Sequence, residues 1–147
     1  MKKKIIIIVC IITVIAAIGA ATAYRYVYQP SKNFATSKAD ITLDAKALFD
    51  EFVKDQNSAN TKYVSKDKTI QISGKISEVK KNEDNTCLLI IEVGAPDSDL
   101  SCTIVKEDSQ KALSLKPGQI IKIKGQCTGY QDLINKEVQM IGCGIVE

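Results

Sequence analysis

Apolar residues along this 147-residue chain recur in three rhythms. From Ile5 to Tyr24 they form an uncharged run, from Ile41 to Gln56 they return every three or four residues, and beyond Thr69 they alternate with polar ones. The first rhythm fits a membrane-spanning helix, because 20 residues rising about 1.5 Å each cover the roughly 30 Å hydrocarbon core of a bilayer. The second predicts a helix over 41–56 (ITLDAKALFDEFVKDQ) with Leu48, Phe49, Phe52 and Val53 on one buried stripe. Thr42 would be its N-cap and Asp44 a favourable charge in its first turn. Asn57 to Lys68 is polar and reads as turns.

The third rhythm predicts strands. Thr69 to Lys80 (TIQISGKISEVK) places Ile70, Ile72, Gly74 and Ile76 on one face, and Val79 breaks the alternation, which calls for a bulge or bend between Ile76 and Val79. TCLLIIEV (86–93) and LSCTIV (100–105) flank the turn-rich GAPDSD as a long hairpin. Glu107 to Leu115 reads as a short helix capped by Asp108, and Lys116-Pro117-Gly118 turns the chain into IKIKGQCTGY (121–130). A last strand runs from about Glu137 to Val146. Ile70–Gly74 and Ile121–Gly125 share the frame I-x-I-x-G, suited to strands that coil as they close a barrel. Lys122 and Lys124 alternate with the isoleucines and so point away from the core. A helix, three strands, a helix and two strands is the order of an OB-fold, a mainly-β, five-stranded Greek-key barrel.

ALFDEFVKDQNSANTKYVSKDKTIQISGKISEV, the Lys116–Gln119 turn, IKIKGQCTGY and the closing VQMIGCGIV resemble the bacterial tRNA-anticodon-binding-like OB-fold family, found on exported or membrane-attached proteins. The resemblance covers roughly Asp40 to Glu147 and rests on pattern together with Asn60, Lys62, Tyr63, Gly74, Gly125, Cys127 and Cys143. It implies a fold. It transfers no catalytic residue, because unrelated activities share this architecture.

Charge sharpens the division of the chain. Lys2, Lys3 and Lys4 precede the apolar run and only Arg25 closely follows it, so the excess of positive charge keeps the N-terminus in the cytoplasm. The expected organisation is a membrane anchor or signal segment over 1–29, a linker over 30–39 and an OB-fold domain over 40–147. That makes a single-pass protein of the cytoplasmic membrane, held through residues 5–24, with its C-terminal domain outside. A signal peptide cleaved after Ala23 is the alternative, since Ala21-Thr22-Ala23 fits a cleavage site. Tyr24, Tyr26 and Tyr28, an interfacial aromatic belt, favour the retained anchor. Cys10 sits too early in the run to be a lipidation site. Residues 1–37 hold five bases and no acid, leaving 15 bases against 17 acids for the remainder. The net charge of +3 therefore belongs to targeting, and the domain is slightly acidic.

That acidity bears on partners. OB-folds that hold single-stranded nucleic acid pair a positive groove with aromatic platforms, and the predicted strands carry no Phe or Trp, with Tyr63 and Tyr130 only near strand ends. Nucleic acid is not the expected partner. A protein or envelope component is, with Lys75, Lys122, Lys124 and Tyr130 as binding-face candidates. A nucleic-acid-binding OB domain, or a small enzyme or thiol protein without a recognisable site, stand as alternatives. The chain has no histidine and none of the nucleotide or nucleophile fingerprints, so no enzyme activity and no cofactor are expected. Glu92, Asp97 and Asp99 could hold calcium, yet isolated loop acids are ordinarily solvated; Asp132 is no better supported, and no metal is expected. Cys87, Cys102, Cys127 and Cys143 lack a C-x-x-C pair, and export permits disulfides. A hairpin centred near Asn135 would set Cys127 opposite Cys143 and predicts that disulfide, leaving Cys102 free or competing for Cys143.

Overall fold

The computed structural model describes residues 34–83 and 85–146, together with Gly19. The chain divides between Ser31 and Lys32 into two units, and every element below belongs to the second. Gly19 aside, the expected span over 5–24 and the cleavage site lie outside the described residues. Among the described residues no helix is long and apolar enough to cross a membrane.

The predicted 41–56 helix begins four residues late. Strand β1 (Ile41–Asp44) precedes helix α1 (Ala45–Lys54), because Ile41 and Leu43 alternate with Thr42 and Asp44 and can pair in parallel with residues 70–73. The cap therefore moves from Thr42 to Asp44, whose carboxylate accepts from the Lys46 N–H at 2.9 Å. Leu48, Phe49 and Phe52 are buried as expected, whereas Val53 is 50% exposed. A second helix, α2 (Gln56–Tyr63), occupies the stretch read as turns. Asp55 caps it, accepting from the Ser58 N–H at 3.1 Å and the Ser58 hydroxyl at 2.7 Å. Ala59 and Tyr63, four residues apart, are its buried contacts.

Strands β2 (Ile70–Lys81), β3 (Cys87–Glu92) and β4 (Ser98–Ile104), helix α3 (Lys106–Leu113), and strands β5 (Ile120–Asp132) and β6 (Lys136–Val146) complete the fold. The neighbour order is β1-β2-β3-β4-β6-β5, and β5 returns to pair with β2, so β2 to β6 close a five-stranded barrel. Its pairs are antiparallel except β4 with β6. This is the OB arrangement. The two I-x-I-x-G stretches prove to be partners: Ile72 faces Ile123, Ile70 faces Gly125 and Gly74 faces Ile121. Both glycines are needed for close packing, since a Cβ on Gly125 would collide with the Cys143 sulfur and one on Gly74 with the Ile91 Cγ2. The break in alternation is a register shift between Ile76 and Glu78. Asp108 does not cap α3, whose N-cap is Val105. Its Oδ2 instead accepts from the Ile145 N–H at 2.9 Å, tying the helix to the last strand.

The four domain cysteines are buried free thiols, and the expected Cys127–Cys143 pairing is corrected by the register. Bulges between Lys124 and Gln126 and between Cys127 and Gly129 displace the hairpin, so that Cys127 faces Met140. A symmetrical hairpin count omits those extra residues. Cys143 itself registers with Ile104 of β4.

Candidate binding face and cleft

Alternation along β3 and β4 sends Cys87, Leu89, Ile91, Leu100, Cys102 and Ile104 into the core and Leu88, Ile90, Glu92, Asp99, Ser101 and Thr103 to the opposite face, where Ile90 and Ser101 are nevertheless buried. Register aligns these with neighbouring strands. Glu92, Asp99 and Glu137 form one row across β3, β4 and β6. Glu78, Ile90, Ser101 and Gln139 form the next. Four carboxylates thus stand on one sheet face. Two have lysine partners: Lys75 binds Glu92 at 2.5 Å and Lys80 binds Glu78 at 2.9 Å. The Glu137 Oε2 accepts from Gln131 Nε2 at 2.6 Å and Gln139 Nε2 at 3.2 Å. Burial, reinforced by Glu137, raises the Asp99 carboxyl above the ordinary carboxylate range. A phosphate backbone laid here would meet four carboxylates against two lysines, both already paired, and no aromatic ring in these rows.

The residues expected on a binding face do not form one patch. Lys122 and Lys124 lie outward on the β2–β5 seam, opposite Ser73 and Gln71. Lys124 donates to the Ser37 carbonyl at 3.0 Å. Lys75 lies opposite Ile120 and is engaged by Glu92. Tyr130 is a packing residue: its ring stacks on Phe52 at 6.0 Å and meets Phe49 edge-on at 6.1 Å. Tyr63 is buried against Phe52. Its neighbour Lys62 binds Glu51 at 2.9 Å, which pushes the Lys62 ammonium up to about 12 and clamps α1 to α2. Asp97 and Asp132 stand on opposite walls of a cleft, with Glu92 and Asp99 on the sheet face. Among the described residues no group of three or more acids, cysteines or histidines is placed to hold a metal ion.

That cleft, of about 530 Å³, opens between α1, the β3–β4 loop and the tip of the β5–β6 hairpin. Phe49 and Val53 supply its apolar floor, Ala95 and Pro96 one wall, and Ile134 the other. Asp50, Asp97 and Asp132 face Lys54 and Lys136 around it. The walls are tied together, because the Lys136 N–H donates to the Asp97 carbonyl at 3.1 Å and Asp97 takes the left-handed backbone (φ 52°) that the tight loop requires. Leu133 and Ile134 project from the hairpin tip, 90% and 95% exposed. Sequence reasoning missed this site. The signal was present in QDLINKE: two adjacent apolar residues at a hairpin turn cannot both reach the core.

A family model described as tRNA_anti-like matches residues 1–138. Among solved structures, the chain is similar to a lipoprotein from Klebsiella pneumoniae whose name gives nucleic-acid binding as a provisional assignment. That likeness has a TM-score of 0.55 at 17% identity and covers 72% of this chain and 91% of that one. Fainter likenesses link it to the S. pombe Stn1–Ten1 complex (TM-score 0.39, 19% identity, 54% of this chain and 58% of that one). A similar one links it to Entamoeba histolytica asparaginyl-tRNA synthetase (TM-score 0.38, 18% identity, 54% of this chain and 20% of that one). No curated protein matches the chain.

Proposed function

The chain belongs to the tRNA_anti-like family, and on that premise we propose a membrane-anchored, extracytoplasmic OB-fold module that binds a protein or envelope component and catalyses nothing. The observation carrying this reading is the apolar-floored cleft at α1, whose rim is extended by the solvent-exposed Leu133 and Ile134. Monomeric proteins rarely expose contiguous apolar patches larger than a few hundred Å² without a partner to cover them. The sequence supports export: the basic N-terminal flank and the uncharged run over 5–24 direct the domain across the membrane and retain it there.

A photo-crosslinking residue placed at Ile134 of the full chain, in cells, tests the site. It should give a discrete protein or envelope adduct that the same residue at Lys122 does not. Equal labelling from both positions would remove the cleft from consideration. Protease added outside spheroplasts should degrade the domain, and a mature chain beginning at Tyr24 would replace the anchor with a cleaved leader.

Nucleic-acid binding is the second reading, favoured by the name of the Klebsiella lipoprotein. The acidic outer rows of β3, β4 and β6 weigh against it. Titration with single-stranded DNA and RNA near physiological salt should give binding no tighter than micromolar; sub-micromolar binding with a steep salt slope would make nucleic acid the leading ligand.

A further inference from the structure

The cleft at α1 and the acidic sheet face meet along one edge. Ser98 and Lys136 line the cleft and are register partners on β4 and β6. One residue further along the same strands, Asp99 faces Glu137, and Glu92 of β3 faces Asp99 from the other side. Strands about 4.8 Å apart bring these carboxylates into direct opposition, an arrangement that disfavours the fold.

The charges at this edge do not balance. Lys75 engages Glu92, and Lys46 engages Asp50 on the cleft wall. Asp132 and Lys136 face each other across the β5–β6 hairpin, so their charges offset one another. Among the described residues no lysine pairs with Asp97, Asp99 or Glu137, and Lys54 is the remaining base on the cleft. Both glutamine amides that reach Glu137 bind its Oε2, which leaves Oε1 open to a further donor. An apolar floor thus adjoins an excess of negative charge. No group of acids among the described residues is placed to hold a metal ion, so the complementary charge is that of organic cations.

We propose that the cleft takes an extended protein segment in which a bulky apolar residue is flanked by arginine or lysine. The inference rests on the reading of the cleft as the binding site and names the chemistry of its occupant. The apolar side chain lies on Phe49 and Val53 against Ile134, and the neighbouring cations cross the Ser98–Lys136 edge to Asp99 and Glu137. An extended chain advances about 3.4 Å per residue, so a base two or three positions from the apolar anchor reaches the acidic row on its own flexible stem. Burial of the anchor supplies affinity, whereas the charges select the partner, since an acidic segment would add to the existing repulsion.

The test titrates the full chain, in micelles of an uncharged detergent, with the peptide acetyl-Arg-Arg-Phe-Gly-Arg-amide, with its analogue carrying glutamate for every arginine, and with its analogue carrying glycine for phenylalanine. The arginine–phenylalanine peptide should bind at least about tenfold tighter than either analogue, and high salt should weaken it. Ile134→Ser and the pair Asp99→Asn with Glu137→Gln should each weaken it about fivefold or more, with melting curves checking that each variant folds. Asp97→Asn, a residue type that tolerates the left-handed backbone at this position, should weaken it in the same direction and supplies a second neutralised variant. Lys54→Ala should not weaken it. Equal or tighter binding of the glutamate peptide, indifference to the neutralised variants, or no binding of the arginine–phenylalanine peptide would overturn the proposal and leave the cleft as the site, provided that the crosslinking residue at Ile134 still gives its adduct in cells. Loss of that adduct as well would remove both readings. An adduct of twice the chain's own mass would make a second copy the occupant and overturn the proposal.

Discussion

Strand β5 passes through two different environments. From Ile120 to Gly125 it is zipped to β2 residue for residue, with Ile123 buried and Gly125 pressed against Cys143. Beyond Tyr130 it runs on with β6 alone, and the turn that joins them carries Leu133 and Ile134 into solvent. The same strand therefore closes the barrel at one end and builds a cleft wall at the other. At the seam the inward positions Ile123 and Gly125 are packed against their neighbours, so substitution there should cost stability. At the tip apolar side chains have none, so substitution should cost binding. Tyr130 marks the change, its ring sealing the rim against Phe49 and Phe52.

The largest expected effect breaks the seam. Gly125→Ala puts a methyl group against the Cys143 sulfur and 3.1 Å from the Ile141 carbonyl oxygen, and overpacking of this kind costs about 2–3 kcal/mol. Urea unfolding should show the midpoint falling while the slope holds. Adding Cys143→Ala should recover part of the loss, because it removes the nearer obstacle. A midpoint unchanged in Gly125→Ala would mean that the barrel closes more loosely than its register implies.

An intermediate test separates the tip from the seam. Leu133→Ser with Ile134→Ser should change unfolding free energy by less than about 0.5 kcal/mol, since neither side chain is buried, yet should abolish the adduct formed when the crosslinking residue is placed at Val53. Loss of stability comparable to that of Gly125→Ala would show the tip to be structural.

The two regions also differ in how far the sequence disclosed them. Alternation and the repeated I-x-I-x-G frame located the seam, because both glycines and isoleucines answer to local packing that a two-residue period expresses directly. The helix was found from Leu48, Phe49 and Phe52, but its start was misplaced, since pairing of Ile41–Asp44 with β2 is a long-range contact. Helix α2 was missed because only Ala59 and Tyr63 anchor it, too few for a visible stripe. The disulfide expectation failed on two bulges, which no hydrophobic pattern announces. The cleft is hidden for a related reason: it is assembled from α1, a loop and a hairpin far apart in the chain, and Ile134 lines it whereas Lys122 and Tyr130 do not.

The smallest expected effect carries the comparison to the outer sheet, where a binding surface is expected to hold groups that do not favour the fold. Asp99 meets this description, because burial and the nearby Glu137 raise its carboxyl above the ordinary value of 3.8. A raised carboxyl means that the native state holds the proton more tightly than the unfolded chain does. Stability is then greatest below the ordinary value and is lost as pH rises through the window between that value and the native one. Asp99→Asn removes the charge while keeping the shape, so it should melt slightly higher than wild type at pH 7, by about 1–3 °C, given that the side chain remains partly in water. Near pH 3 the difference should close, because Asp99 is then neutral in both states. Melting curves at the two pH values decide the matter, and a variant that melts lower at pH 7 would show that the Asp99 carboxylate supports the barrel.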